Sequence, residues 1–299
     1  MNTAEKVFGD VDTNMKVELR HFNAIVADVR LHWVELGDSK SNDNTCPIIL
    51  LHGIHDFYSS WECIAGALAT TRRVIVPDLP GHGWSERPDA TYQLEWYAMV
   101  MAKWLEMLNV ELADLVGHSF GGGVAQMLLR ECRHRFRRLA LLAPGGLGKE
   151  VAFELRLAST PWLIEKFGQP FMAKYRWQAL WHCRHSLTES QLVELSRVNS
   201  QDGSARAFAR TVSDVINWRG QTRTFFQYAH ELPNLPTIRL FWGDNDRIIP
   251  IKHAHFLMEA IDGISLKVFE GCGHYPHHEK PDHVIREFQC FFDDDELKS

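Results

Sequence analysis

The chain has 299 residues, of which 45% are hydrophobic, and its 32 Lys and Arg against 38 Asp and Glu give a formal charge of -6. This length suits one large α/β domain with room for an inserted subdomain, and the ordinary hydrophobic content argues against disorder. The mild acidity gives no reason to expect nucleic acid as a partner.

The N-terminal residues lack the basic start and apolar core of a secretory signal, and no apolar run approaches the length that spans a bilayer. The six cysteines are scattered without metal-type spacing, so we expect reduced thiols. Cys183 lies near His182 and His185, but one thiol and two imidazoles do not make a convincing zinc site. We therefore expect a cytoplasmic protein without a metal or other cofactor, and its oligomeric state stays open.

The first predicted elements are antiparallel strands, because residues 17–36 alternate between apolar and polar types. Longer amphipathic stretches, such as residues 94–108 and 124–132, then separate short apolar runs. These runs lie at residues 48–51, 74–76, 115–116, 139–142, 238–241 and 266–269. The alternation predicts βαβ units and a mostly parallel sheet with helices on both faces. The basic stretch at residues 130–138 lies between a predicted helix and a predicted strand, and we interpret it as a solvated connection.

The alternation of short apolar runs with amphipathic stretches is interrupted between residues 146 and 221. This region contains three amphipathic segments, at about 161–183, 188–198 and 204–218. Thr188 with Gln191 three residues later fits a helix start, and Asp202-Gly203 marks a turn. We interpret this region as a helical cap, with residues 1–145 and 222–299 forming the core and residues 146–221 the insertion. Ordinary helices of the main domain are the alternative. The acidic residues 293–296 are interpreted as a solvated end.

Ser119 lies in the pattern Gly117-His118-Ser119-Phe120-Gly121, after an apolar run and before a helix-like stretch. A serine in that context is a candidate nucleophile on a sharp strand-to-helix turn. The two glycines lack a Cβ, so the chain can turn tightly there. For the pattern alone, a glycine-rich loop with an incidental serine is the alternative.

A serine hydroxyl needs a base, and the base needs a partner that orients it. His274 follows the predicted strand at 266–269 in a glycine-rich loop and is the preferred base, with His277, His278 and His283 as nearby competitors. The loop after the strand at 238–241 offers two carboxylates. Asp246 is the preferred acid, and Asp244 is kept as the alternative, with a turn or capping role as its other interpretation.

The negative charge that develops on a substrate oxygen needs fixed donors. The loop His52-Gly53-Ile54 follows a predicted strand, so we expect the backbone N–H groups of Ile54 and Phe120 to form an oxyanion hole. The candidate substrate-binding residues are His52, His118, Trp162 and Arg219. Several aromatic side chains in the predicted cap suggest an apolar roof over the site, namely Trp162, Phe167, Phe171, Trp177 and Trp181. Aromatic residues at helical spacing are, however, more often part of the core. The arginines that could grip a carboxylate are Arg156, Arg176, Arg184 and Arg219.

Five motifs, in this order and spanning about residues 48–292, resemble those of the α/β-hydrolase fold superfamily. They are Leu51-His52-Gly53, the segment from Asp78 to Ser85, Gly117 to Gly122, Gly243 to Asp246 with Pro250, and Gly273-His274. The resemblance implies a Ser119–His274–Asp246 triad and a cap over the active site. Asp78 and the turn Gly81-His82-Gly83 match a segment that is usually structural in the family.

Departures from the pattern narrow the class. Ser119 stands where epoxide hydrolases and haloalkane dehalogenases have aspartate. Residues 143–148 are similar to the meta-cleavage-product C–C hydrolases, which usually have Asn before the nucleophile and Trp soon after the histidine, where this chain has His118 and Tyr275. The leading hypothesis is a serine hydrolase that cleaves a carboxylic ester or related acyl compound, with an apolar or aromatic small-molecule substrate. The alternatives are a C–C bond hydrolase of the meta-cleavage type, a cofactor-free haloperoxidase or perhydrolase, and a ligand receptor that retains the triad.

Overall fold

An eight-stranded sheet runs through the computed structural model, which describes residues 18–37, 46–172, 188–232 and 234–293. The strands follow the order β1-β2-β4-β3-β5-β6-β9-β10. The first two form an antiparallel hairpin, β2 pairs antiparallel with β4, and the remaining pairs are parallel. The predicted α/β architecture is therefore confirmed. The strands are β1 (Arg20–Val26), β2 (Val29–Leu36), β3 (Ile48–Leu51), β4 (Val74–Pro77), β5 (Ala113–His118), β6 (Phe136–Leu142), β9 (Thr237–Gly243) and β10 (Ser265–Phe269).

Helices cover both faces of this sheet, because alternate residues of its apolar strands point to opposite sides. Ile49 and Ile75 pack in one core with α2 and α3, whereas Ile48 and Val74 pack in the other with α1 and α10. The helices are α1 (Glu62–Leu68), α2 (Leu94–Met107), α3 (Phe120–Cys132), α4 (Phe153–Leu157), α5 (Pro161–Phe167), α6 (Glu189–Asn199), α7 (Ser204–Val215), α8 (Lys252–Ala260), α9 (Pro276–Glu279) and α10 (Pro281–Asp293). Within the described ranges, no helix has both the length and the apolar composition that crossing a bilayer requires.

A mostly helical segment connects β6 to β9 and contains α4 to α7 and the short strands β7 (Ile216–Asn217) and β8 (Gly220–Gln221). The predicted helix start is present: Thr188 and Gln191 form a reciprocal capping box at α6. Gly203 has a φ of 86° and precedes α7, as the predicted turn requires. The division into a core and a cap at residues 146–221 stays a prediction. Several predicted features lie outside the described residues, namely Arg176, Trp177, Trp181, Arg184, the group around Cys183 and residues 294–296 of the acidic stretch.

The interpretation of residues 130–138 as a solvated connection is wrong for its last two arginines. Strand β6 already begins at Phe136, and Arg138 is buried. The fully buried carboxylate of Asp114 accepts hydrogen bonds from Arg72, at 2.6 Å, and from Arg137. All three arginines also donate to the carbonyl oxygen of Phe292 near the end of α10. Phe292 lies in the last described turn of α10, and carbonyl groups toward the C-terminal end of a helix attract cations.

Candidate active site

Ser119 stands at the junction of β5 and α3 with φ 52° and ψ -117°. Residues with a Cβ seldom adopt such angles, and those that do cluster at functional sites. A Cβ on Gly117 would lie 2.6 Å from the carbonyl oxygen of Gly121, and a Cβ on Gly121 would lie 2.5 Å from the carbonyl oxygens of Leu51 and His52. The glycines therefore permit the close packing of strand, helix and neighbouring loop, and the structure contains the sharp turn that the pattern predicts.

The side chains of Ser119, His274 and Asp246 form a hydrogen-bonded chain. Nε2 of His274 lies 2.9 Å from Oγ of Ser119, and its Nδ1 lies 2.7 Å from Oδ2 of Asp246. The other carboxylate oxygen of Asp246 accepts the backbone N–H groups of Ile248 and Ile249 at 2.8 and 2.9 Å. Because both oxygens of Asp246 are occupied, its orientation toward the imidazole is fixed. This arrangement can take a proton from the hydroxyl while the carboxylate stabilises the imidazolium that forms.

The competing candidates lie elsewhere. Asp244 is exposed, and its carboxylate accepts the backbone N–H of Cys272 at 3.3 Å, which matches the turn role considered for it. His283 is exposed on α10. His277 is fully buried and stacks on Trp61 with ring centroids 4.6 Å apart, and burial holds its pKa well below the usual value. Burial lowers the pKa of its neighbour His278 to about 4.

Two further residues hold the loop that carries His274. The carboxylate of Glu279 accepts the backbone N–H groups of Gly273 and Tyr275 at 2.9 and 3.3 Å. Nε2 of His118 lies 2.9 Å from the carbonyl oxygen of His274, and since a carbonyl only accepts, this nitrogen carries the hydrogen. Burial keeps the pKa of His118 well below its usual value, so the ring is neutral. The sequence did not indicate a role for Glu279, because a glutamate in a polar segment has no distinguishing local pattern.

The loop after β3 approaches the nucleophile closely. A Cβ on Gly53 would lie 3.5 Å from the Cβ of Ser119. His52 stabilises this loop from inside: its Nδ1 donates to the carbonyl oxygen of Gly53 at 2.8 Å, and its Nε2 accepts the N–H of Leu79 at 3.0 Å. Burial lowers the pKa of His52, which favours the neutral ring that this bonding requires. The loop is therefore rigidly placed beside Ser119.

Ser119 lines a cavity of about 50 Å³ between the loops at the sheet edge and the helical segment. Ile54 and Phe120 line this cavity together with Ser119, so both residues predicted to form the oxyanion hole border the same space as the hydroxyl. Most of the lining is apolar, as is usual for small-molecule sites. The apolar side chains around it are Ile54, Leu94, Phe120, Val151, Leu155, Val215, Ile216 and Ile249.

Comparison with known proteins now identifies the family. Residues 47–281, most of the chain, match the family model described as the alpha/beta hydrolase fold. The chain belongs to the α/β-hydrolase fold family. The resemblance drawn from the five sequence motifs is thereby confirmed, and the family is one of hydrolase enzymes.

Similar proteins include several of this α/β-hydrolase family. An uncharacterised protein of Mycobacterium tuberculosis is 33% identical over 261 residues, which cover 82% of this chain and 75% of the relative. A 2-hydroxymuconate semialdehyde hydrolase of a Pseudomonas species is 29% identical, with 77% of this chain and 80% of the relative covered. The solved structure of Cfl2 from Burkholderia cenocepacia has a TM-score of 0.78 at 23% identity and covers 96% of this chain and 100% of its own, a likeness that shows the fold.

None of the four residues predicted to bind substrate lines the described cavity of this α/β hydrolase. His52 and His118 are fully buried, and each ring hydrogen-bonds a backbone carbonyl oxygen, of Gly53 and of His274 respectively. Their predicted role in substrate binding stays a prediction. The Trp162 side chain is 65% exposed on α5, and Arg219 is exposed between β7 and β8. The cavity instead uses apolar residues of the sheet-side loops and of the helical segment. Their spacing resembles that of ordinary core residues, so the sequence held no signal for them.

The described residues contain no group of three His, Cys, Asp or Glu side chains arranged to hold a metal ion.

Proposed function

We propose that this α/β hydrolase is a serine hydrolase that cleaves a carboxylic ester or a related acyl compound through an acyl-enzyme. The observation that carries the proposal is the pair of hydrogen bonds from Ser119 to His274, at 2.9 Å, and from His274 to Asp246, at 2.7 Å. These distances lie within hydrogen-bond reach of a nucleophile, its base and the group that orients the base.

In the proposed reaction, Nε2 of His274 takes the Ser119 proton as Oγ attacks the substrate carbonyl carbon. The backbone N–H groups of Ile54 and Phe120 donate to the oxygen that becomes negative. His274 then passes its proton to the leaving alcohol, and the acyl group remains on Oγ. A water molecule then gives a proton to His274 as its oxygen attacks the acyl carbon. His274 returns this proton to Oγ as the bond between Oγ and the acyl carbon breaks, which releases the carboxylic acid and restores the Ser119 hydroxyl.

The cavity lining supports an apolar acyl or aromatic group in the substrate. Among the described residues that line the cavity, Arg223 is the charged one, and its guanidinium donates to Glu95 and Asp214, both at 2.9 Å. Two carboxylates therefore already balance its charge, which makes it a poor partner for a substrate anion.

The proposed cap is supported by the residues of the helical segment that border the cavity. Val151, Leu155, Val215, Ile216 and Gln221 all fall within residues 146–221 and line the space next to Ser119. Substitutions in this segment are therefore expected to change substrate preference. A cytoplasmic location stays a prediction, which cell fractionation would test.

A C–C hydrolase of the meta-cleavage type is the second candidate, because a 2-hydroxymuconate semialdehyde hydrolase is among the relatives. Such a substrate carries a carboxylate, and the two predicted arginine partners that lie within the described residues, Arg156 and Arg219, do not favour it. Arg156 donates to the carbonyl oxygen of Val151 at 3.0 Å, and Arg219 is exposed away from the cavity lining. Arg223 is no better suited to bind a substrate carboxylate, because Glu95 and Asp214 already balance its charge.

The test is the Ser119→Ala variant in a short-chain nitrophenyl ester assay. We expect kcat to fall by about 10⁴-fold or more, because the nucleophile is removed. The matched control is Ser213→Ala, since this exposed hydroxyl on α7 donates only to the carbonyl oxygen of Arg210. Activity of Ser119→Ala within a few-fold of wild type would overturn the proposal.

Activity measurements on a wider panel of substrates separate the alternative functions. Faster turnover of a ring-fission dienoate than of simple esters, lost in Ser119→Ala, would select the C–C hydrolase. Negligible turnover of esters, lactones, thioesters and dienoates, together with strong ligand-dependent thermal stabilisation, would select a receptor.

A further inference from the structure

The chain leaves the loop at Ile54 through His55, whose φ is 62°. His55 is buried, and a residue with a Cβ is unfavourable in this left-handed region. If φ of His55 relaxed to a negative value, the preceding peptide, which contains the Ile54 carbonyl and the His55 N–H, would rotate. The Ile54 N–H lies one peptide earlier, so it would keep its direction only if the backbone angles of Ile54 changed as well. The conformation of His55 therefore bears on the direction of the Ile54 N–H, and the surrounding structure must hold it in place.

The residues that hold His55 come from the helical segment between β6 and β9. Nδ2 of Asn199, the last residue of α6, donates to the carbonyl oxygen of His55 at 2.9 Å, and Asn199 is buried. The ring of Phe208 on α7 meets the His55 ring edge to face, with centroids 5.3 Å apart. The backbone of Met172 hydrogen-bonds the imidazole of His55. Burial lowers the pKa of His55 to about 4, so its ring is neutral.

We propose that Asn199 is a positioning residue for the oxyanion hole, a proposal that rests on the function proposed above. By fixing the His55 carbonyl, Asn199 keeps the loop in the conformation that presents the Ile54 N–H to the substrate oxygen. The bond joins the helical segment to the catalytic loop, so docking of α6 completes the site. The transition state, in which the oxygen is negative, gains more from this alignment than the bound substrate does.

Other contacts dock the same part of the segment without touching the loop. Nε2 of Gln201, two residues after Asn199, donates to the carbonyl oxygen of Gly83 at 3.1 Å. Arg87 donates to the Ser204 hydroxyl at 2.7 Å and to the carbonyl oxygen of Val198 at 2.8 Å. Loss of the Asn199 bond should therefore leave α6 docked. Gln201 provides a matched control, because its amide also donates to a core carbonyl but not to one in the oxyanion loop.

The experiment compares Asn199→Ala with Gln201→Ala by kcat, KM and the inhibition constant of a trifluoromethyl ketone, which forms a tetrahedral oxyanion adduct with a serine nucleophile. Removal of one oxyanion donor costs about 10²–10³-fold in kcat, and misalignment should cost less. For Asn199→Ala we expect kcat to fall about 10- to 100-fold, the inhibition constant to rise by a similar factor, and KM to stay within about threefold. For Gln201→Ala we expect all three within about twofold. Partial unfolding would lower kcat but not the affinity of the remaining folded enzyme for the ketone.

Phe208→Leu tests the same loop from α7 and serves if Asn199→Ala does not fold. It keeps an apolar side chain but removes the ring edge beside His55, so kcat and ketone affinity should again fall together. Wild-type ketone affinity in the folded variants, or an equal loss in Gln201→Ala, would overturn the inference. The two proposals are separable: an active Ser119→Ala overturns both, whereas an inactive Ser119→Ala with an unaffected Asn199→Ala overturns this inference alone.

Discussion

Replacing Asp246 by asparagine tests whether this acid sets the tautomer of His274. Oδ1 of Asp246 accepts two backbone N–H groups, at 2.8 and 2.9 Å, so an asparagine would place its carbonyl oxygen there. Its NH₂ group would then take the Oδ2 position, 2.7 Å from Nδ1 of His274. Since an amide N–H only donates, Nδ1 would have to accept and the ring proton would move to Nε2. His274 could then no longer accept the Ser119 proton.

A wrong tautomer of this kind lowers kcat by about 10⁴-fold in a serine triad, which corresponds to about 5 kcal/mol of activation free energy. The assay is kcat on a nitrophenyl ester near pH 7, with the melting temperature as the check on folding. The control is Asp244→Asn, expected to stay within about twofold because Asp244 is exposed and bonds only weakly to Cys272. A folded Asp246→Asn variant within tenfold of wild type, or an equal loss in Asp244→Asn, would refute the reasoning.

Two further predictions concern stability. Gly121→Ala would bring a Cβ to 2.5 Å from two backbone oxygens, so the free energy of unfolding should fall by about 1–3 kcal/mol or more. Gly66→Ala in α1 is the control: its Cβ would have no atom within 4 Å, so the free energy of unfolding should rise by up to about 1 kcal/mol. Urea unfolding measures both variants, and a Gly121→Ala variant more stable than Gly66→Ala would contradict the packing argument. The second prediction concerns pH. Burial depresses the pKa of His277 in the folded chain, so below about pH 6.5 the imidazole takes up a proton only in the unfolded chain. As the pH is lowered further, the free energy of unfolding therefore decreases by up to about 1.4 kcal/mol per pH unit from this group. His277→Phe should flatten this decline between about pH 6.5 and 5, and the exposed His283→Phe should not; parallel declines in both variants would show that His277 does not cause it.

Local sequence patterns sufficed for the sheet and for the elbow around Ser119. Apolar runs bounded by turn residues predict buried strands wherever they fold, and the glycines at 117 and 121 are required by contacts with adjacent elements. The preference for Asp246 over Asp244 matches the geometry, although two carboxylates two residues apart carry no local distinction. Only the position of His274 in the fold separates them.

Residues whose partners are distant in the chain could not be assigned from the sequence. Leu94 and Leu155 line the cavity, but an apolar residue that faces a cavity and one that faces the core have the same helical spacing. Asn199 at the end of α6 has the pattern of a solvated polar residue, yet its partner is His55. The partner of Arg137 could not be predicted either, because nothing in the basic stretch indicates the buried carboxylate of Asp114 to which it donates.

The three arginines that meet at the Phe292 carbonyl have a consequence for the order of folding. Their guanidinium groups come from the early and middle parts of the chain, and α10 also supplies Phe288, Phe291 and Phe292 to the core face that α1 shares. During synthesis, the Phe292 carbonyl and the three phenylalanines of α10 are missing from that face of the sheet until α10 has left the ribosome. Contacts this distant in sequence make folding slow and leave apolar surface open meanwhile. The part of this face that α10 covers therefore stays exposed in the nascent chain until almost every described residue has been made.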